Sequence, residues 1–213
     1  LVAEKTTSAY QQEFRSLFMA LNSNPDYNEW MEIYRKLVYW ELEMKKSDSP
    51  EMQEVFETQK QEANTEFFKF ISKNYASWVS PKSTDGPIMS HTLLKYKVLP
   101  HLEKGTPLFF VLIDNLRFDQ WKIIQPKFAE SFRIQEEETF YSILPTATQY
   151  ARNAIFAGML PVDIEKQFPN QWKNDDEEGG KNLHEEEFLR ALLKKSGKGD
   201  LKVSYTKITN NHD

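Results

Sequence analysis

The first eighty residues carry apolar side chains at the three- and four-residue spacing that is typical of amphipathic helices. Three such stripes follow one another: Tyr10, Phe14, Leu17, Phe18 and Leu21, then Trp30, Ile33, Tyr34, Leu37, Trp40 and Met44, then Met52, Val55, Phe56, Ala63, Phe67, Phe70 and Ile71. Asn24–Pro25 and Ser49–Pro50 precede the second and third stripes, where a capping side chain and a fixed φ favour a helix start. Because short links favour antiparallel neighbours, residues 1–80 are predicted to form an antiparallel three-helix bundle.

The pattern changes after residue 80. Residues 81–88 are rich in Pro, Gly and Ser and are predicted to be a linker. Leu108–Ile113 is an uninterrupted apolar run, which is typical of a strand buried on both faces. Further strands are predicted at 132–142 and 201–208, and helices at 90–101, 117–130, 148–158 and 185–195. This alternation predicts an α/β fold class, in which the bundle is followed by a mostly parallel sheet domain over residues 89–213.

Composition narrows the class of protein. The 213 residues have a net charge of -5 and contain no cysteine, which excludes disulfides, cysteine-based zinc sites and thiol nucleophiles. The acidic excess argues against a sequence-independent binder of duplex DNA. No apolar run approaches the roughly 18 residues of a membrane span, so we predict a cytoplasmic protein without one.

Asp114 closes the apolar run and is the first candidate functional residue. Open α/β sheets place ligands at the carboxyl ends of their strands, so a carboxylate at this position is suited to binding a cation. The alternative is structural: Asp114 caps a helix that begins near Leu116.

A second candidate lies at Leu144–Asn153, where Pro145 ends a predicted strand and Thr146 and Thr148 stand at a helix start. A helix N-terminus offers free backbone N–H groups and a positive dipole end to a phosphate. A threonine hydroxyl there is placed to attack phosphorus, provided that a group such as a metal ion lowers its proton affinity. The alternative is that Thr146 or Thr148 caps the helix.

Taken together, the two motifs resemble the alkaline phosphatase superfamily. Asp114 and Arg117 match its Asp-x-x-Arg, and Pro145, Thr146 and Thr148 match a Pro-Thr-x-Thr that is followed by Gly158. Asn115 replaces the usual Gly of the nucleotide pyrophosphatase/phosphodiesterase branch, and Tyr150-Ala151-Arg152 replaces its Pro-Asn-His. With these replacements, the two motifs resemble those of a narrower relative, the PglZ domain. Residues 1–80 are similar to the three-helix bundle of PorX-type response regulators.

The resemblance implies an enzyme, a zinc-dependent phosphodiesterase acting on nucleotide or oligonucleotide substrates. It implies that Thr148 is the nucleophile and that Asp114 and Thr148 are metal ligands for two zinc ions. Thr146, Arg152 and Arg117 are implied as phosphate contacts, with the alternative that Arg117 forks onto Asp119 and shapes the turn. It also implies a receiver domain before this segment, the remainder of the PglZ domain after it, and a role in the two-component control of type IX secretion.

The remaining metal ligands of the superfamily are not found in this sequence. The histidines are His91, His101, His184 and His212, and none stands in the family's Asp-x-x-x-His or Asp-His context. A single carboxylate does not hold zinc, because protein sites supply three or four ligands. We therefore expect these 213 residues to be inactive by themselves.

A non-enzymatic function is the alternative hypothesis. The helical bundle would then be a signal-relay and interaction module that forms a homodimer, and the following domain would be a binding platform without catalysis. Aromatic residues such as Trp30, Trp40 and Trp78 are too numerous for three small helices to bury completely, which leaves some for another surface.

Overall fold

The computed structural model describes residues 2–83, 85–173 and 180–209, and side chains from residue 8 onwards. The chain divides into two compact units, each made of two segments. The first unit comprises Leu1–Pro87 and Asn115–Thr139, and the second comprises Ile88–Asp114 and Phe140–Asp213. The domain boundaries predicted from the sequence, 1–80, 81–88 and 89–213, stay a prediction.

The described residues of the first unit form α1 (Val2–Asn22), α2 (Tyr27–Lys45), α3 (Pro50–Trp78) and α5 (Phe118–Ala129). Between α3 and α5 in the sequence lies α4 (Leu93–Lys97), which belongs to the second unit. Asp26 caps α2 by accepting hydrogen bonds from Asn28 N at 2.8 Å and Glu29 N at 2.9 Å, and the Glu29 side chain accepts from Asp26 N at 2.8 Å. This capping box starts α2 two residues after the predicted Asn24. Ser49 and Pro50 start α3 as the sequence indicates.

Side-chain contacts show that α1, α2 and α3 pack as an antiparallel bundle. Along each pair of neighbours, residue numbers rise on one helix as they fall on the other, in the contacts Tyr10–Trp40 and Glu13–Lys36 for α1 and α2, and Trp30–Phe67 and Glu41–Lys60 for α2 and α3. The buried core consists of Tyr10, Leu17, Leu21, Trp30, Ile33, Trp40, Met44, Phe56 and Ala63. These residues come from the three predicted stripes, so the apolar spacing identified the core face of each helix.

One polar pair is buried inside this core. The Tyr10 hydroxyl donates to Gln59 Oε1 at 3.0 Å, and Gln59 Nε2 donates to the Phe14 carbonyl at 2.9 Å. Burial raises the pKa of Tyr10 to about 12. The tyrosine therefore stays protonated and keeps its role as donor to Gln59.

The second segment of this unit is attached to α2 through Glu137. Its side chain accepts from Trp121 Nε1 at 2.8 Å and from Lys122 Nζ at 3.2 Å, while Arg35 Nη2 donates to the Glu137 carbonyl at 2.6 Å. The Tyr34 and Phe118 rings pack with centroids 5.8 Å apart. Burial works against ionisation of Glu137, but these donors and positive charges outweigh it, so its pKa lies below the usual range.

The described part of the second unit contains four helices and a 3₁₀ turn. They are α4 (Leu93–Lys97), the 3₁₀ turn Leu99–His101, α6 (Thr148–Ala157), α7 (Pro161–Gln167) and α8 (Glu185–Lys195). A buried cluster of Phe156, Ala157, Ile164 and Phe188 joins α6, α7 and α8. α6 ends at Gly158, whose φ of 63° is the left-handed conformation that suits glycine. α7 was not among the predicted helices.

The predicted α/β fold class is wrong: the described part of the chain is helical and contains no sheet. Its pairing is limited to one parallel bridge, Met89–Tyr141. Leu108–Ile113 has no regular secondary structure, and Phe109 is 89% and Val111 74% exposed. The prediction of a strand buried on both faces is therefore wrong for this run. A sheet requires neighbouring strands to accept its backbone hydrogen bonds, and the segments predicted at 132–142 and 201–208 do not lie beside it as strands.

The helices predicted at 117–130 and 148–158 are present with slightly shorter bounds, and the one predicted at 185–195 has the predicted bounds. The helix predicted at 90–101 is replaced by α4 and the 3₁₀ turn. Among the residues described, none of the helices is both long and apolar enough to cross a bilayer.

Candidate functional site

Asp114 lies at a sharp turn rather than at a helix start. Asn115 follows it with a φ of 60°, a left-handed conformation that Asn tolerates better than most residues with a side chain. This backbone explains why Asn stands where the resembling family has Gly. α5 begins at Phe118 with Arg117 at its N-cap, so Asp114 does not cap that helix. The Asp114 side chain is 40% exposed.

Thr148 is the first residue of α6, and the residue at the N-cap is Ala147. No side chain caps this helix start, so neither Thr146 nor Thr148 has the capping role that was the structural alternative. The first backbone N–H groups of a helix have no partner within the helix and favour an anion. The partly buried Thr148 therefore stands at a helix end that suits a phosphate.

Arg152 brings the two sequence motifs together. Its Nη1 lies 3.6 Å from Asp114 Oδ2. Residues four apart on a helix share a face, so Arg152 lies one turn below Thr148 on the same side of α6. Asp114, Thr148 and Arg152, which the sequence placed in separate motifs, thus belong to one region of the second unit.

Glu185 holds the other edge of the Arg152 guanidinium. Glu185 Oε1 lies 2.7 Å from Arg152 Nε, and Oε2 accepts from Arg152 Nη2 at 2.9 Å. Asn182 Nδ2 donates to Glu185 Oε1 at 3.1 Å, and the Tyr205 hydroxyl donates to Oε2. Burial, followed by the contact with Glu185, raises the pKa of Tyr205 to about 12. Tyr205 therefore remains a proton donor to the carboxylate throughout the ordinary pH range.

Glu185 and its partners were missed by the sequence analysis. Glu185 is the first of three consecutive glutamates, a run that suggests a solvated surface, yet its side chain is 0% exposed. The available signal was its phase: Glu185 shares the helix face of Phe188, which lies in the buried core. A charged residue in phase with an apolar stripe indicates a buried ion pair.

Arg117 is placed differently from the other predicted residues. Its guanidinium forks onto Asp119, with Nε 3.0 Å from Oδ1 and Nη2 3.0 Å from Oδ2. This contact is the structural alternative considered for Arg117, and it lies within the first unit. The role of Arg117 as a phosphate contact stays a prediction. Thr146 is exposed beside the start of α6, and its role also stays a prediction.

The donor set of this region does not fit zinc. Among the residues described, no three His, Asp or Glu side chains group as a metal site would require. The neighbour of the Asp114 carboxylate is the Arg152 cation, and Glu185 is already engaged by three donors.

His91 is partly buried, and burial lowers its pKa despite the opposing charge of Asp163. His212 lies outside the described residues.

Two family models match successive parts of the sequence. Residues 1–79 match the PorX response regulator linker domain, and residues 93–212, more than half of the chain, match the BREX system PglZ alkaline phosphatase-like domain. A search of the curated proteins found no match.

These matches define a class of protein in which a response-regulator linker is joined to an alkaline phosphatase-like domain. The chain belongs to the PglZ family of alkaline phosphatase-like domains. The resemblance drawn from the two motifs and the helical segment is thereby confirmed, and it supports a hydrolase of the alkaline phosphatase superfamily.

Proposed function

We propose that this chain is part of a response-regulator effector whose PglZ segment hydrolyses phosphodiesters, with Thr148 as the nucleophile. The observation that carries the proposal is the 3.6 Å approach of Arg152 to Asp114. It brings the two motifs together on α6, where Thr148 and Arg152 share a helix face next to the first backbone N–H groups of the helix.

The reaction needs a nucleophile and positive charge around the transferred phosphoryl group. The Thr148 oxygen forms a bond to phosphorus while the bond to the leaving oxygen breaks, and the hydroxyl proton ends on the departing alcohol. Water then attacks phosphorus in the resulting threonine phosphodiester; the bond from the Thr148 oxygen to phosphorus breaks, a proton from water restores the hydroxyl, and the phosphomonoester is released. The start of α6 and the Nη1 edge of Arg152, which faces Asp114, stabilise the charge on the phosphoryl oxygens.

We propose zinc binding for the intact protein only. The described side chains do not supply a zinc donor set, so Asp114 would require additional ligands from outside the described residues. For the same reason, we propose no activity of the isolated 213 residues.

The helical segment gives the proposed enzyme its biological setting. Its match to a response-regulator linker supports a position between a receiver domain and the catalytic domain. Regulation of type IX secretion and a nucleotide or oligonucleotide substrate are the finer parts of the same proposal.

Turnover of bis(p-nitrophenyl) phosphate by the intact protein tests the nucleophile. Thr148→Ala is expected to lower kcat by about a thousandfold or more, because removal of a covalent nucleophile leaves only binding and electrostatic effects. Thr148→Ser retains a hydroxyl and is expected to keep measurable activity. Thr65→Ala, on the exposed side of α3, makes the same change away from this region and serves as the matched control.

Two results bear on the assignment beyond Thr148. Asp114→Ala is expected to abolish metal-dependent turnover if Asp114 is a ligand in the intact site. Full activity in Thr148→Ala would refute the enzymatic proposal. It would favour the alternative in which the helical bundle and the following domain form a non-catalytic relay module.

A further inference from the structure

We propose that Glu185 and Tyr205 are positioning residues that fix Arg152 in place to meet the phosphate of the substrate. This inference rests on the function proposed above and assigns a role to residues outside both sequence motifs. Glu185 and Tyr205 are not catalytic residues, since they act on the substrate through Arg152.

The geometry divides the Arg152 guanidinium into two edges. Nη2 donates to Glu185 Oε2 at 2.9 Å, and Nε lies 2.7 Å from Oε1 in an ion pair that lacks hydrogen-bond geometry. Nη1 points towards Asp114 at 3.6 Å, beyond ordinary hydrogen-bond distance. The guanidinium is planar and its donors are rigidly arranged, so fixing one edge also fixes the direction of the other.

The burial of Glu185 requires that its carboxylate oxygens be held by donors in defined positions. A carboxylate with no exposed side-chain surface is costly unless its oxygens accept hydrogen bonds from several donors. Arg152, Asn182 and Tyr205 supply those donors. By contrast, Glu186 pairs with Arg190 on the exposed surface of the same helix.

The network also reaches the first residue of α6. Asn182 Nδ2, which donates to Glu185, lies 3.5 Å from the Thr148 carbonyl oxygen. Asn153, in the same helix, is fully buried and donates to the Lys181 carbonyl at 2.8 Å. The segment that carries Asn182 is therefore attached to α6 at two points, which sets the position of Glu185 relative to Thr148 and Arg152.

Glu185→Asp tests positioning without a change of charge. The shorter side chain retracts the carboxylate and draws Arg152 away from the Thr148 end. Because a misplacement of about 1 Å can cost up to a hundredfold in rate, kcat/KM of the intact protein for bis(p-nitrophenyl) phosphate is expected to fall by about ten- to a hundredfold. Tyr205→Phe removes one hydrogen bond and is expected to reduce kcat/KM about threefold. Glu186→Asp is the matched control on α8 and is expected to leave kcat/KM unchanged.

A double-mutant cycle separates positioning from a general structural effect. In an Arg152→Ala background, Glu185→Asp is expected to cause no further loss of kcat/KM, because its effect passes through Arg152. An equal fractional loss in both backgrounds would overturn the proposal. If Glu185→Asp fails to fold, the same cycle with Tyr205→Phe decides the question.

The affinity for inorganic phosphate, measured by calorimetry, provides a readout that does not depend on turnover. Glu185→Asp is expected to weaken phosphate binding when Arg152 is present and to leave it unchanged in Arg152→Ala. Unchanged phosphate affinity in the presence of Arg152 would refute positioning even if Thr148→Ala is inactive. Conversely, an active Thr148→Ala would refute the proposed nucleophile, while the phosphate measurement would still decide the role of Glu185.

Discussion

Gly158 gives the sharpest prediction about the packing beneath the candidate site. It ends α6 with a φ of 63°, and a Cβ built at this position would lie 2.7 Å from Leu192 Cδ1 and 3.1 Å from Leu192 Cδ2. The contact joins the helix that carries Thr148 and Arg152 to the helix that carries Glu185. Gly158→Ala therefore tests both the backbone conformation and the close approach of α6 to α8.

The expected destabilisation has two parts. A residue with a Cβ in the left-handed conformation costs about 1–2 kcal/mol. The added methyl would meet the terminal methyls of the partly exposed Leu192, which can change rotamer, so the contact adds about 1 kcal/mol, the low end of the cost of overpacking. The sum is about 2–3 kcal/mol, a large share of the roughly 5–15 kcal/mol that stabilises a typical domain.

Gly197→Ala is a matched control because it separates the two parts. Gly197 has a φ of 72°, and no atom lies within 4 Å of the position that a Cβ would take there, so only the backbone cost of about 1–2 kcal/mol is expected. Hydrogen exchange of amides in α6 and α8 measures the local opening free energy. A loss in Gly158→Ala no greater than that in Gly197→Ala would refute the steric contact. Leu192→Ala should partly compensate Gly158→Ala, with a favourable coupling in the double-mutant cycle.

Two further predictions concern a turn and a titrating group. Asn115→Val is expected to destabilise the chain by about 1–2 kcal/mol because φ is 60° there, whereas Asn115→Gly should be neutral or slightly stabilising; urea unfolding of both variants checks this, and equal stability would contradict the left-handed turn. Burial lowers the pKa of His91 in the folded chain, so the unfolded chain takes up the proton first. The associated stability is present above about pH 6.5 and is lost as the pH falls from there towards the folded pKa. The urea midpoint should therefore depend less on pH in His91→Gln, and an unchanged profile would contradict the assignment.

The helices could be predicted because their evidence is local. The apolar stripes that contain Tyr10, Trp30 and Phe56 fix the buried face of each bundle helix, and these residues lie in the core. Thr148 at the start of α6 followed from the same kind of signal, a breaker and then a helical pattern. Local spacing determines a face and a start, and both depend on residues within one or two turns.

Local spacing does not specify which distant segments become neighbours. It therefore could not show whether a sheet forms, nor which residues surround Arg152. The run from Leu108 to Ile113 reports apolar character on two faces, but not whether strands lie beside it. Glu185 approaches Arg152 from 33 residues away in the sequence, and the glutamate run around it hides its burial. The contact between Asp114 and Arg152 is likewise a product of tertiary packing, although both residues were candidates beforehand.

The two segments of the first unit have a consequence for how such proteins are inherited and recombined. Helix α5 falls inside the stretch that matches the phosphatase-like family, yet it packs on α2 of the linker and is held there through Glu137. A recombination event at the family boundary would separate that helix from its packing surface and expose the aromatic side chains of Tyr34 and Phe118. Selection should therefore keep the linker and phosphatase-like segments of one lineage together. Recombination between distant lineages should be tolerated only at positions before the linker or after the phosphatase-like segment.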